Sequence, residues 1–204
     1  MISNQDMISS QSQQHKAQQH SAEKYTKVAI LLHWLIALLI FVNLSLAWTV
    51  DLLPDAYVRL NIDTHKSIGI TVLGLVLLRI LWRLGHPPPA LPSSISPLEK
   101  RAAHWGHIAL YTLMITLPIS GWMHDSAWKD AATHPMQLFY LIPWPRIGLI
   151  EHIEPIYKET LHTYFGSLHE WLGITLYIFF ILHILGTLKH RYIDHHSILY
   201  RILP

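Results

Sequence analysis

Residues 167–189 read SLHEWLGITLYIFFILHILGTLK. A bilayer's hydrocarbon core takes roughly 20 predominantly apolar residues to cross as a helix, and this run meets that length with Glu170 as its only charge before Lys189. Its two histidines, His169 and His183, stand fourteen residues apart at opposite ends. At 3.6 residues and about 5.4 Å per turn, that spacing returns to within about 40° of the same face and separates the two by about 21 Å. One helix therefore offers two imidazoles that face the same way at two depths.

The rest of the chain suits the same setting. Of its 204 residues 51% are hydrophobic and only 14% are charged, against roughly a quarter charged in soluble proteins. There is no cysteine, which excludes disulfides, iron–sulfur clusters, thiolate zinc sites and covalent haem attachment through C-x-x-C-H. Histidine numbers 16, far above what solubility needs, and neutral imidazole is the commonest metal ligand.

Working outward, four spans are predicted at 28–50, 64–84, 104–123 and 167–189, so that 28–189 forms an all-α, four-transmembrane-helix bundle. Residues 1–27, rich in Gln and Ser, read as a flexible polar tail. They do not read as a secretory signal, because the first apolar run is long enough to stay as an anchor. The linker HPPPALPSSISP at 86–97 cannot continue a helix. The outer loop, 125–166, contains PMQLFYLIPWPRIGLI at 135–150, whose Pro143 and Pro145 place it at the interface rather than across the membrane, and 151–163 predict a short helix. Residues 190–204 form a C-terminal tail.

Loops rich in Lys and Arg stay cytoplasmic. With both termini inside, the inner side holds Lys16, Lys24, Lys27, Arg79, Arg83, Lys100, Arg101, Lys189, Arg191 and Arg201. The outer side holds only Arg59, Lys66, Lys129, Arg146 and Lys158, together with most of the acids. Both termini are therefore expected in the cytoplasm, with the chain crossing the membrane as a multi-pass protein.

This topology sorts the histidines by depth. His33 and His183 fall at the inner level, and His65 and His169 at the outer. Pairing by level gives two bis-histidine sites in one bundle core, the axial ligation of two non-covalent b-type haems, with iron held by His33 and His183 inside and by His65 and His169 outside. The strings His65-Lys-Ser-Ile-Gly69 and His169-Glu-Trp-Leu-Gly173 place a glycine one turn from each outer ligand, where a missing Cβ lets a flat macrocycle lie against the helix. A bare zinc ion needs no such room. Ala37 and Gly186 make the pattern softer at the inner site. Arg79 is fourteen residues from His65, on its face but at the inner level, placed for a haem propionate, and Lys66 is a candidate for the same part at the outer site.

Other histidines are less decided. His104 and His107 share a face at the start of the third span and suit a quinone head group, proton relay or interface cap. His162, two turns before His169, either extends a polar path from the outer haem or is a surface residue. His124, His152, His190, His195, His196, His15, His20, His86 and His134 are assigned mainly to surface and interface, and Arg83 to positive-inside anchoring.

These residues, taken as a set, carry a resemblance. The chain from about Tyr25 onward resembles the bacterial cytochrome b561 family of four-helix, di-haem membrane proteins. The likeness rests on His33-Trp34, THKSIG at 64–69, LLRILWR at 77–83, the PPP linker, AHWGHIALY at 103–111, LPISGW at 117–122, LHEWLG at 168–173, His183 and LKHRYID at 188–194. It implies haem ligation by His33, His65, His169 and His183, and quinone-linked electron transfer in the inner membrane with ubiquinone or another quinone as substrate. Some members are regarded as oxidising superoxide at the outer face. The acidic outer side of this chain speaks against anion steering there. A haem-bearing anchor that relays electrons to a separate redox partner protein is the non-enzymatic alternative. Membrane lipid is an expected partner, nucleic acid is not, and a homodimer is a common outcome for a small bundle.

Overall fold

The computed structural model describes residues 24–91, 95–194 and 198–203. The greater part of the N-terminal tail, with His15 and His20, lies outside them, as do His195 and His196 of the C-terminal tail. Four long helices carry the fold: α1 (Lys27–Thr49), α2 (Asp55–Gly85), α3 (Pro97–Ser126) and α4 (Pro155–Tyr192). Among the described residues α1 with the turn that follows it, α2 and α4 are long and apolar enough to cross a membrane. The 30-residue α3 carries His104, His107, Thr112, Thr116, Pro118 and Ser120 along its length and is not among them.

Two of the four helices, α1 and α3, start where a side chain satisfies one of the first free N–H groups. Thr26 accepts from Ala29 at the head of α1, and Ser96 and Glu99 form a reciprocal capping box ahead of α3 with Pro97 in the first turn. At the head of α4, Pro155 again occupies the first turn. The short helix expected at 151–163 is instead the first part of α4, because no breaker separates Pro155 from the span. Gly166 is accommodated within it.

Helix α1 packs along α2, and α3 along α4. The core cluster of Ile36, Ile40, Ile68, Val72, Val76, Leu110, Leu113, Met114 and Leu176 draws on all four. Val72 lies seven residues from both His65 and Arg79, and Leu176 seven from both His169 and His183; at 4% and 3% exposed, they fill the middle of the bundle between the two histidine levels. At one end, called here the terminal end, Tyr25 N–H donates to the Arg201 carbonyl at 3.1 Å and Trp34 Nε1 to that of Ile202 at 2.8 Å.

The opposite end carries a small hairpin, β1 (Gln137–Leu138) paired antiparallel with β2 (Ile142–Pro143). Phe139 and Tyr140 at its tip both adopt left-handed backbone, with φ of 51° and 61°, a conformation that costs about 1 kcal/mol for a side-chain-bearing residue. The turn is held by Ser67, whose Oγ accepts from Phe139 N–H at 2.9 Å. Behind it Met136 and Leu138 pack on Ile70 with Trp122 and Trp144. Asp125, 5% exposed, ties this loop to the bundle: it pairs with Lys66 of α2 and with Arg146 at 2.9 Å. Arg146 also donates to the Ala131 carbonyl at 2.6 Å, and Ser126 Oγ accepts from Ile147 N–H at 3.0 Å.

Burial pushes the Asp125 carboxyl up, yet Lys66 and Arg146 together hold it below its ordinary 3.8. The attachment is therefore complete at neutral pH and is lost only as pH falls through that depressed value. Replacing Asp125 with Asn leaves two cations facing each other, a loss of about 3 kcal/mol. The expected outcome is faster amide hydrogen exchange across 127–147 with α1 and α4 unchanged, and unaltered exchange in the loop would refute the tether.

Candidate functional site

The helices bring four sequence-predicted histidines together as two pairs. At the hairpin end His65 of α2 and His169 of α4 have ring centroids 6.0 Å apart, with planes at 87°. At the terminal end the rings of His33 of α1 and His183 of α4 are 6.3 Å apart at 69°. All four are half-buried.

At the hairpin end both rings are fixed by the backbone of a neighbouring helix. His65 Nδ1 donates to the Asn43 carbonyl of α1 at 3.2 Å, and His169 Nδ1 to the Leu117 carbonyl of α3 at 3.1 Å, with Ser120 Oγ 3.0 Å away. With Nδ1 carrying the proton, Nε2 keeps its lone pair and is the atom free to bind a metal. The seat of His169 depends on Gly121, since a Cβ there would lie 2.8 Å from the ring's Cε1. The string LPISG at 117–121 thus supplies the acceptor, a hydroxyl and the clearance. Gly69 has only Asn43 Nδ2 within 4 Å of a notional Cβ, at 3.7 Å, and Gly173 has nothing, so both leave the helix surface clear one turn from the histidine.

The terminal-end pair has different neighbours. Arg79 donates from Nη1 to His33 Nδ1 at 2.8 Å. His107 of α3, which donates its own Nδ1–H to the Ala103 carbonyl at 2.7 Å, has its ring 5.4 Å from that of His183. His104 is exposed and lies against Trp105 instead, so only one of the two α3 histidines reaches the pair. Lys66 is not a spare cation at the other end, because its ammonium is already paired with Asp125 and stands 3.8 Å from Asp63.

Two features escaped the sequence reading. His124 and His162 are not surface residues: half-buried, they stack with centroids 3.9 Å apart and planes within 18°. Each Nδ1 donates to the other residue's carbonyl, at 2.9 and 3.0 Å. Gly166 makes room for the pair, since its Cβ would meet His124 Cε1 at 2.9 Å. The signal was the string His162-Thr-Tyr-Phe-Gly166, which has the spacing of the two H-x-x-x-G strings already read. The second feature is Tyr111, whose buried hydroxyl has no hydrogen-bond partner.

A third cluster does not compete as a metal centre. Glu99, His190 and Asp194 place ligand atoms within 4.8 Å of one another, but the Lys189 ammonium already sits between the carboxylates at 2.6 and 2.8 Å. The hydrogen bonds from Lys189 and Ser96 hold Glu99 down to about 2.

Two imidazoles that share one metal through nitrogens at about 2.0 Å each have ring centroids about 6 Å apart, the separation found in both pairs. Apolar helices with two such facing pairs define the class of membrane-bound b-type cytochromes. The comparisons agree. Residues 24–204 match the family of prokaryotic cytochrome b561. The chain is 31% identical over 186 residues to cytochrome b561 homolog 2 of Escherichia coli K12, covering 90% of this chain and 93% of that one. It is also 31% identical over 188 residues to a probable superoxide oxidase, CybB, of Yersinia pestis, covering 89% and 97%. A cytochrome b562 of Cereibacter sphaeroides matches at 35% over 115 residues, 51% of this chain and 70% of that one. The chain belongs to the prokaryotic cytochrome b561 family. Membership gives it a bacterial membrane location, b-type haem binding and a part in electron transfer.

The clearance at Gly121 sets a sharp expectation. A Gly121→Ala chain must displace the His169 ring and should be recovered with less b haem than the wild type, measured from the visible spectrum of purified protein. Ser120→Ala, which leaves the Leu117 carbonyl in place, should cost less. Equal haem in Gly121→Ala and wild type would overturn this account of the seat.

Proposed function

We propose that the chain holds two non-covalent b-type haems, one at each level, and passes electrons across the bacterial inner membrane to or from a quinone. The observation that carries this reading is the repeated imidazole–imidazole spacing of 6.0 and 6.3 Å at the two ends of one bundle. In it α3 crosses the membrane beside the three more apolar helices, 28–189 is the di-haem domain, and both termini face the cytoplasm, as the Lys and Arg distribution favours. His33 and His183 then hold the cytoplasmic haem, and His65 and His169 the periplasmic one.

Bound there, haem supplies one-electron chemistry at a potential set by its ligands and surroundings. The chain's residues do the rest. Asn43 and Leu117, through their carbonyls, fix the tautomer and orientation of His65 and His169. His33 can offer Nε2 only when its Nδ1 carries the proton, so Arg79 has to turn its donor to another acceptor, and a propionate carboxylate meets that need. Gly69 and Gly173 leave a flat face beside the periplasmic pair. With two imidazoles from this chain holding each iron, outer-sphere electron transfer would be favoured over oxygen binding. His107, beside His183, is the α3 residue best placed to act on a quinone or a proton near the cytoplasmic haem.

The likeness to a probable superoxide oxidase makes superoxide a rival donor. Lys66 and Arg146, the cations tied to the periplasmic end, both already engage Asp125, and most of the chain's acids stand on that side, which disfavours gathering an anion there. That observation favours a quinone-linked wire with another donor.

Pyridine haemochrome quantification with reduced-minus-oxidised spectra tests the reading. Wild type should contain two b haems per chain, and His65→Ala and His183→Ala should each keep one, with different residual spectra. Two haems and unchanged spectra in both variants would overturn the ligand assignment.

A further inference from the structure

Arg79 and Arg83 stand one turn apart on α2, half-buried at the terminal end. Neither makes an ion pair with a carboxylate among the described residues. Both guanidinium carbons lie 5.9 Å from the centroid of one ring, that of Tyr111 on α3. Its hydroxyl is buried and unpartnered. Leaving a buried hydroxyl unmet costs about 1–3 kcal/mol, and unpaired guanidiniums within membrane helices cost more. An anion with several acceptor oxygens removes both defects at once.

The neighbourhood specifies which anion. Arg79 reaches inward to His33 at 2.8 Å, and His107, one turn before Tyr111 on the same helix, touches the His183 ring. The anion therefore enters the bundle beside the His33–His183 pair rather than lying along the lipid surface. Two guanidiniums balance two carboxylates, and the planar fork of Arg suits that geometry. At the opposite level Lys66 and Arg146 already have a carboxylate partner in Asp125, and Lys66 also stands 3.8 Å from Asp63.

We propose that Arg79, Arg83 and Tyr111 form a cradle for the propionate carboxylates of the haem held by His33 and His183, which makes Arg83 and Tyr111 positioning residues for that haem. The inference rests on the di-haem reading above. Cationic and hydrogen-bonding neighbours of the propionates favour the added electron, so the cradled haem has the higher midpoint potential of the two. Arg83 is then part of the site and not simply a cytoplasmic anchor.

The test is an optical redox titration of full-length, detergent-purified protein, with haem content measured on the same samples. In Tyr111→Phe and Arg83→Gln, two haems per chain are retained, the higher of the two midpoint potentials falls, and the lower stays where it is. Arg83→Lys, which keeps the charge, recovers most of the fall. Two haems bound with both potentials unchanged in Tyr111→Phe and Arg83→Gln overturns the cradle while leaving the di-haem reading intact. A wild-type potential that shifts between phosphatidylcholine and phosphatidylglycerol vesicles, with the shift abolished in Arg83→Gln, assigns the cations to a lipid phosphate instead and also overturns it. Wild-type protein with fewer than two haems sinks the reading beneath.

Discussion

A half-buried imidazole between membrane helices has two nitrogens to satisfy, and this bundle is arranged around that requirement. At the hairpin end the demand is met by donating Nδ1–H to a main-chain carbonyl on the adjoining helix, from α2 to Asn43 of α1 and from α4 to Leu117 of α3. Those carbonyls lie within helices, so the two hydrogen bonds also set how far α1 slides along α2 and α3 along α4. Gly121 follows from the same demand, because the ring of His169 reaches its carbonyl only over a residue without a Cβ. Val72 and Leu176, midway along the two helices that carry two site residues each, fill the space that this register leaves.

The two ends of the bundle solve the requirement differently. The hairpin-end histidines face neutral carbonyls, and the cations nearest them are already engaged by carboxylates of the protein, Lys66 and Arg146 by Asp125. The terminal-end histidines face cations: Arg79 touches His33, and Arg83 stands one turn further along the same helix. In the haem sites proposed above, a carbonyl acceptor would increase the basicity of the imidazole and favour oxidised iron, whereas nearby positive charge would favour the reduced form. Sequence position alone thus divides two chemically similar bis-histidine pairs into unlike electrostatic settings.

Much of this was legible because helical period and bilayer thickness act on the same residues. The fourteen-residue spacing of His169 and His183 fixes both face and depth, and the like spacing of His65 and Arg79 puts a cation at the level of His33. What stayed hidden depends on contacts between helices, which periodicity along one helix does not reveal. Reading His124 and His162 separately put the first at the surface and left the second open between surface and a polar path, although each finds its acceptor on the other's helix. Lys66 looked like a free cation until α3 brought Asp125 beside it. The start of α4 was misjudged for a related reason: Gly166, read as the end of a loop, is a helix position kept small by the ring of His124.

The long loop is bound to the same logic. Its hairpin leans on Ser67 and its Arg146 on Asp125, whose other partner, Lys66, directly follows His65 in sequence. Ser67 and Lys66 lie within two residues of a site histidine, so the loop is anchored to the turn of α2 that carries His65. Phe139 and Tyr140 hold an unfavourable backbone conformation to make that connection, a cost sustained only where surrounding contacts over-determine it. Together with Trp122 and Trp144 packed on Ile70, these contacts cover one flank of the His65 level with protein rather than leaving it to solvent or lipid. Shielding of that kind lowers the local dielectric and strengthens every charge interaction near the pair. The loop therefore belongs to the electrostatic environment of the site, and a sequence change within it acts on His65 through Asp125 and Lys66 without touching the ring.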